Sequence, residues 1–317
     1  MNKNTRAGKK EAVSTYEITE DSKAFYERYQ FPGDVSVNHD GVIFYKSITR
    51  AIDEYTDHDR GCSTLKVMDA GCGTGNTTIA LARLFPQLEI VGVDQSNGSL
   101  KQAGVHAQRE GITNVKFMQH NLLRSFENQM QYDIVLCLGV LHHTADMKNV
   151  LLNLKEVMSA HGLLYLWIYG RYGRIKHSMN VRALHMLRDA VKSQDEIALA
   201  KDFVSKVNGG NALDDLLVSK YNEVEKARFI NNSVWIADQF FNPYEMPLDW
   251  KELDEIISGA GFNVHMNLGR WRKSEEIIKS PLVLNAFRQL GHKEQDVVLD
   301  LILKPEHYFV VLRPTKK

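Results

Sequence analysis

The chain has 317 residues, of which 44% are hydrophobic and 25% charged, the composition of a soluble globular protein. At about 150 residues per domain, this length predicts two domains or one large decorated one, with enough chain to bury a core without covalent staples. Lys plus Arg and Asp plus Glu each number 39, so the net charge is zero, which argues against a nucleic-acid partner while leaving a local basic patch open. A mean hydropathy of −0.31 and the lack of any long uncharged apolar run argue against a membrane span. Cys62, Cys72 and Cys137 fit neither a disulfide framework nor a zinc spacing. They read as reduced thiols of a cytoplasmic protein, and no metal site is expected.

In chain order, residues 1–20 read as a flexible polar tail that lacks the apolar segment of a secretory signal. Residues 21–60 read as an N-terminal helical cap. There Ser22 to Tyr29 alternates charged and aromatic residues, Phe31 to Asp34 is a turn signal, and Val42, Ile43, Ile48, Ile52 and Tyr55 recur near a 3.6 period. From residue 61 to 175 strands and helices alternate. Apolar runs begin at Leu65, Leu88, Asn114, Tyr132 and Gly162, with helical segments at Asn76 to Phe85, Leu100 to Glu110 and Asp146 to Ser159 between them. Near-continuous apolar strands separated by helices predict an α/β fold, a doubly wound Rossmann-like sheet that is mostly parallel and covered on both faces.

The rhythm breaks after Gly170. Residues 176–247 read as a helical insertion, interrupted at Asn208 to Asn211, that forms a substrate lid over the C-terminal edge of the sheet. Residues 248–317 complete the α/β core with a helix from Leu248 to Gly261, a strand from Phe262 to Leu268, a further insertion and a last strand from His307 to Arg313. That last strand is expected to return antiparallel.

The most specific signal is Val67 to Gly75, VMDAGCGTG. An apolar strand runs into a turn with Gly71, Gly73 and Gly75, and a helix follows; glycines there permit a tight turn and close approach of a ligand. Asp94 ends the second strand, 23 positions after Gly71, where a carboxylate can take both hydroxyls of a ribose. A dinucleotide fingerprint would need Gly at the position of Asn76. Asp69, two residues before the first glycine, suits a cationic amino-acid moiety better than a pyrophosphate.

With these residues, Leu65 to Tyr169 resembles the class I S-adenosylmethionine-dependent methyltransferases, and the closing helix and strands do so more loosely. The resemblance implies S-adenosyl-L-methionine as cofactor. It places Asp69, Gly71, Gly73 and Gly75 at the methionine end, Asp94 on the ribose and Gln95 beside the adenine. The third strand departs from the family pattern: Asn121 stands where an Asp is usual, so its side-chain carbonyl would meet the adenine amino group, with Leu122 alongside. Leu138, Gly139, Val140, His142 and His143 resemble the floor beneath the sulfonium. Tyr29, together with Tyr26, Phe31 and Tyr45, reads as an aromatic cofactor lid or as core. The run Tyr169 to Arg174, Tyr-x-x-Tyr-Gly-Arg, resembles relatives that act on diverse substrates.

Several residues keep two readings. Asp94 is a ribose ligand or a helix N-cap, with Ser96 or Asn97 sharing that task. His143 is a general base or, like His142, a packing residue. Tyr169, Arg171, Trp235 and Tyr244 line an acceptor pocket or simply pack, and Arg171 either grips an acceptor carboxylate or is a solvated charge. The expected reaction is in-line methyl transfer to a small polar acceptor. A protein, peptide or RNA methyltransferase and a non-catalytic scaffold are the rivals, and a homo-oligomer is compatible with the sequence. The Asn-Pro-Pro-Tyr signature is missing; the nearest string, Asn242 to Tyr244, lies in the helical block.

Overall fold

Seven strands form one sheet in the computed structural model, which describes residues 14–33, 48–50, 65–127, 130–192, 195–207, 223–268 and 273–315. The strands are β1 (Lys66–Ala70), β2 (Glu89–Asp94), β3 (Val115–Gln119), β4 (Tyr132–Leu138), β5 (Met158–Tyr169), β6 (Phe262–Asn267) and β7 (His307–Pro314). Their order is β3-β2-β1-β4-β5-β7-β6. β1 to β5 pair in parallel, and β7 runs antiparallel to both β5 and β6. The sheet is thus doubly wound with one reversed strand, as expected. The strand order reverses between β1 and β4, the place where open α/β sheets leave a crevice beyond their strand ends.

Alternation along each strand divides the apolar side chains between two cores. Met68, Ala70, Val135, Cys137 and Leu164 belong to one cluster, while Val67, Ile134, Leu136, Leu163 and Tyr165 belong to the other. Burial on both faces is why these strands read as continuous apolar runs.

Helix α1 (Thr15–Arg28) opens the chain. The sequence reading had a loose tail to residue 20; instead Ser14 and Glu17 form a capping box that starts the helix inside it. Of the apolar segment Gly41 to Tyr55 only residues 48–50 are described; they are helical, and Ile48 is buried in the second core. Around the sheet run α2 (Asn76–Leu84), α3 (Asn97–Arg109) and α4 (Met147–Glu156). Ser96 caps α3 and Asp146 caps α4. α4 ends earlier than the sequence suggested, because Met158 to His161 already extend β5, where Tyr132 pairs with Met158 across an irregular register.

After β5 come α5 (Ile175–Val191), α6 (Glu196–Lys206), α7 (Glu223–Asn231) and α8 (Ser233–Phe241). They share a cluster built on Leu184, Phe203, Val204, Ile236 and Phe240, against which Phe25 of α1 also packs. Phe25 thus links α1 to this helical layer. The expected break at Asn208 to Asn211 lies outside the described residues. α9 (Trp250–Gly259) precedes β6, and α10 (Ser274–Ile277), α11 (Pro281–Arg288) and α12 (His292–Leu303) precede β7. Among the described residues no helix is long and apolar enough to cross a membrane.

Candidate active site

The loop after β1 is held from three sides. Its Gly71 and Cys72 N–H groups donate to the Val93 carbonyl at 2.7 and 3.0 Å. The Asp94 carboxylate accepts the Gly73 N–H at 2.9 Å and the Ser96 N–H at 2.8 Å, so it is pinned between the loop and the start of α3. The segment after α1 closes the third side, where Thr74 N–H donates to the Phe31 carbonyl at 3.1 Å. Gly71 has φ +81° and Gly73 φ +54°, and a Cβ on either would run into Val140 or into the Phe31 carbonyl respectively. α1 is tied to α3 as well: Glu27 accepts the N–H groups of Asn97 (2.7 Å) and Gly98 (3.1 Å), a carboxylate at a helix N-terminus.

Two carboxylates end β1 and β2. Asp69 is buried and accepts the Thr78 hydroxyl at 2.6 Å. Burial raises its pKa to about 6, with the Asp94 charge adding and Thr78 opposing. Asp94 is also raised by burial, against the N–H groups of Ser96 and Gly73 that favour its charged form.

Beyond the end of β5 lies a polar network. Tyr26 donates its hydroxyl to Asp238 at 2.9 Å and accepts from Asn242 at 2.8 Å. Gln239 donates to Asp238 at 2.9 Å and to the Tyr169 hydroxyl at 3.0 Å, and its carbonyl accepts from Arg174 at 3.3 Å. Arg174, the buried residue before α5, forks onto Glu245 and lies 3.6 Å over the Tyr169 ring. His143 sits 6.0 Å from the Tyr169 ring, centroid to centroid, with Nδ1 at 2.9 Å from the Tyr244 carbonyl.

A cavity of about 400 Å³ joins these parts. Its lining runs from Asp69, Gly71, Gly73 and Asp94, past Gln95, Asn121 and Leu122, to Leu138, His143, Tyr169, Trp235 and Asp238.

A methyltransferase-domain family model matches residues 62–201. An uncharacterized protein of Synechococcus sp. is 28% identical over 247 residues, 76% of this chain and 58% of its own length. The ubiquinone biosynthesis O-methyltransferase of Rickettsia prowazekii is 24% identical over 152 residues, 48% of this chain and 58% of its own length. Thus the chain spans less than two thirds of the length of these relatives. PKMT2 from Rickettsia typhi, solved in complex with AdoHcy, has the same fold at a TM-score of 0.62 and 14% identity, over 80% of this chain and 51% of that one. Residues 62–201 thus match a methyltransferase domain, and the sheet shares its fold with that AdoHcy-bound neighbour.

Four of the expected site residues are not part of the cavity lining. Gly75 starts α2 at φ +84° and faces Ala103 and Ile79; its missing side chain serves helix packing. Tyr29 is the C-cap of α1, where the chain leaves helical geometry, and points its hydroxyl at Glu196 (3.5 Å), whereas Thr19, Ser22 and Tyr26 within α1 line the cavity. Arg171 is committed to Asp249 and Glu252 at the start of α9, which leaves Arg174 as the cavity's guanidinium. Tyr244 contributes its carbonyl to His143, and its side chain lies against Met246. Two further points refine the reading. Asn121 lines the cavity, but its side-chain oxygen already accepts the Leu123 N–H at 2.9 Å. His142 is fully buried against the Tyr169 ring at 3.9 Å, and burial holds its pKa well below the usual histidine value, so it packs.

Sequence reasoning missed Arg174, Glu306 and His307 as lining residues. The signal for the last two was present: an antiparallel final strand must start where β5 ends, and His307 pairs with Tyr169.

Proposed function

We propose that the chain transfers a methyl group from S-adenosylmethionine to an oxygen of a small polar acceptor. The observation that carries this reading is the single cavity that joins the Asp69–Asp94 end to the Tyr169–Asp238 end. The residues present suit the cofactor. Asp69 is a carboxylate whose pKa burial raises and which pairs with no cation among the described residues, a fit for the methionine ammonium. α2 begins at Gly75 without a side-chain cap, so its first N–H groups suit a carboxylate. Asp94, oriented by two N–H groups, has lone pairs left for two ribose hydroxyls. Gln95, Asn121 and Leu122 frame the adenine.

Bound S-adenosylmethionine supplies a methyl group on a cationic sulfur that leaves as a neutral thioether. The protein's part is alignment, exclusion of water and management of one proton. A carbonyl cannot donate, so His143 Nδ1 carries its hydrogen toward Tyr244 O and Nε2 keeps a lone pair. We assign Nε2 as the base that takes the acceptor hydroxyl's proton. Residues of α1, α7 and α8 line this end, where a bound acceptor would be shielded from water. The named relatives that are O-methyltransferases support oxygen as the target atom, among them the malonyl-[acyl-carrier protein] O-methyltransferase of Bacillus anthracis, 24% identical over 45% of this chain.

The test is incubation of the chain with methyl-labelled S-adenosylmethionine and a cell extract separated by size. Label is expected in the small-molecule fraction. Label confined to protein or RNA would overturn the small-acceptor reading.

A further inference from the structure

At the acceptor end of the cavity two donors, the Tyr169 hydroxyl and Arg174 Nη1, make no hydrogen bond as donors among the described residues. Arg174 can only donate and an ionised Asp238 can only accept, so the Gln239 amide has one possible orientation. Its oxygen faces Arg174, and its two N–H groups face Asp238 and the Tyr169 hydroxyl. Tyr169 therefore receives a hydrogen bond from Gln239, and its own O–H proton is left over. Arg174 spends Nε and Nη2 on Glu245 and Gln239, while Nη1 makes no hydrogen bond among the described residues. Both residues line the cavity. Two donors on the cavity lining are thus available to a bound acceptor, and a ligand that dried this end without pairing them would incur their desolvation penalty.

An acceptor-only group completes such a corner. Its charge follows from the neighbours. Arg174 is already neutralised by Glu245 at 3.2 Å, while Asp238, buried, adds a negative charge and Glu306 lies on the same wall. A carboxylate entering here would meet a net-negative surround; a neutral oxygen would not. Aromatic rings also contribute to the lining, those of Trp167, Phe229 and Trp235, and offer faces for a planar ligand.

We propose that Tyr169 and Arg174 bind an uncharged carbonyl oxygen, so that the acceptor is a flat hydroxylated carbonyl compound without a carboxylate. This rests on the methyltransferase reading, with the reacting hydroxyl at His143.

The experiment titrates three probes into protein saturated with S-adenosylhomocysteine: 4-hydroxyacetophenone, 4-ethylphenol and 4-hydroxybenzoate. The ketone is expected to bind about tenfold tighter than either of the others. In Tyr169→Phe the ketone should lose most of its advantage over 4-ethylphenol, with 4-ethylphenol and S-adenosylhomocysteine affinities unchanged, which also verifies the variant's fold. Tightest binding of the benzoate would replace the carbonyl by an anion. Ketone and ethylphenol binding alike, or neither binding, would mean that the corner does not meet the acceptor. Protein that binds S-adenosylhomocysteine but ranks the probes otherwise overturns this inference alone. Protein that does not bind S-adenosylhomocysteine overturns the methyltransferase reading beneath it.

Discussion

Lowering the pH should weaken cofactor binding through Asp69. This carboxyl is 3% exposed, has Thr78 as a hydroxyl partner, and pairs with no cation among the described residues. Its pKa lies at about 6 against an ordinary 3.8. The difference of about two units corresponds to about 3 kcal/mol, an upper figure, by which burial favours the protonated form. The folded-state pKa is raised, so this contribution to stability is fully present below about pH 4 and is lost as pH rises through about 6. A cation bound beside Asp69 favours the ionised form and offsets that loss. Binding must then displace a proton at acidic pH, and affinity should fall about tenfold per unit below pH 6 and level off above pH 7. S-adenosylhomocysteine is a suitable probe because its ammonium and carboxylate keep their charges across this range. Calorimetric titration from pH 5 to 7.5 should give about tenfold weaker binding at pH 5 than on the plateau. Asp69→Asn should flatten most of the profile and leave the smaller part due to Asp94, whose pKa is raised in the same direction. Equal wild-type affinity at pH 5 and pH 7 would refute the pairing of Asp69 with the ammonium.

Asp94→Ala should weaken S-adenosylhomocysteine binding at least about tenfold by calorimetry. It should also lower the melting temperature of the unliganded protein, because the N–H groups of Gly73 and Ser96 lose their acceptor. Gly73→Val should abolish cofactor binding by an indirect route. Its Cβ meets the Phe31 carbonyl, so the segment after α1 is pushed away, which limited proteolysis near residues 31–33 would detect; an uncleaved variant with normal affinity would contradict this. His143→Gln should reduce kcat by about 10²–10⁴ with S-adenosylhomocysteine affinity unchanged, and a fully active variant would remove the base assignment.

The sheet was legible because buried strands carry apolar side chains on both faces, a pattern that survives without knowledge of the partners. Met68 and Val67 sit in different cores, yet both had to be apolar. Reversal of β7 was legible from chain order alone. The start of α1 was hidden by composition, since a polar N-terminus reads as solvated. The capping box Ser14-x-x-Glu17 was nevertheless visible in the sequence and marks the turn where the helix begins. The end of α4 was misplaced because Ser159 and His161 are polar residues on an extended strand, and neither period distinguishes that from a frayed helix end.

Within the site, the backbone-defined positions were readable and the side-chain directions were not. Gly71, Gly73, Asp69 and Asp94 are fixed by the strand ends and the turn, so their places follow from the motif. Tyr29, Arg171 and Tyr244 were the right residue types near the right cavity, and each points away from it for a local reason. α1 turns Thr19, Ser22 and Tyr26 inward at spacings of three and four; Tyr29 would continue that spacing, but it is the C-cap at φ −116° and ψ 84°, so the helix no longer sets its direction. Arg171 is claimed by the capping-box residues Asp249 and Glu252, whose carboxylates gather at the start of α9. Once Arg171 is held there, Arg174 is the arginine of the Tyr169–Arg174 run that reaches the cavity, and its burial against Tyr169 requires a counter-charge. Glu245 supplies that counter-charge from the segment after α8, next to Tyr244, whose carbonyl orients His143. One short stretch, Tyr244–Glu245, thereby positions both the base and the donor corner, so a shift of that stretch would move the two together and leave the cofactor end untouched.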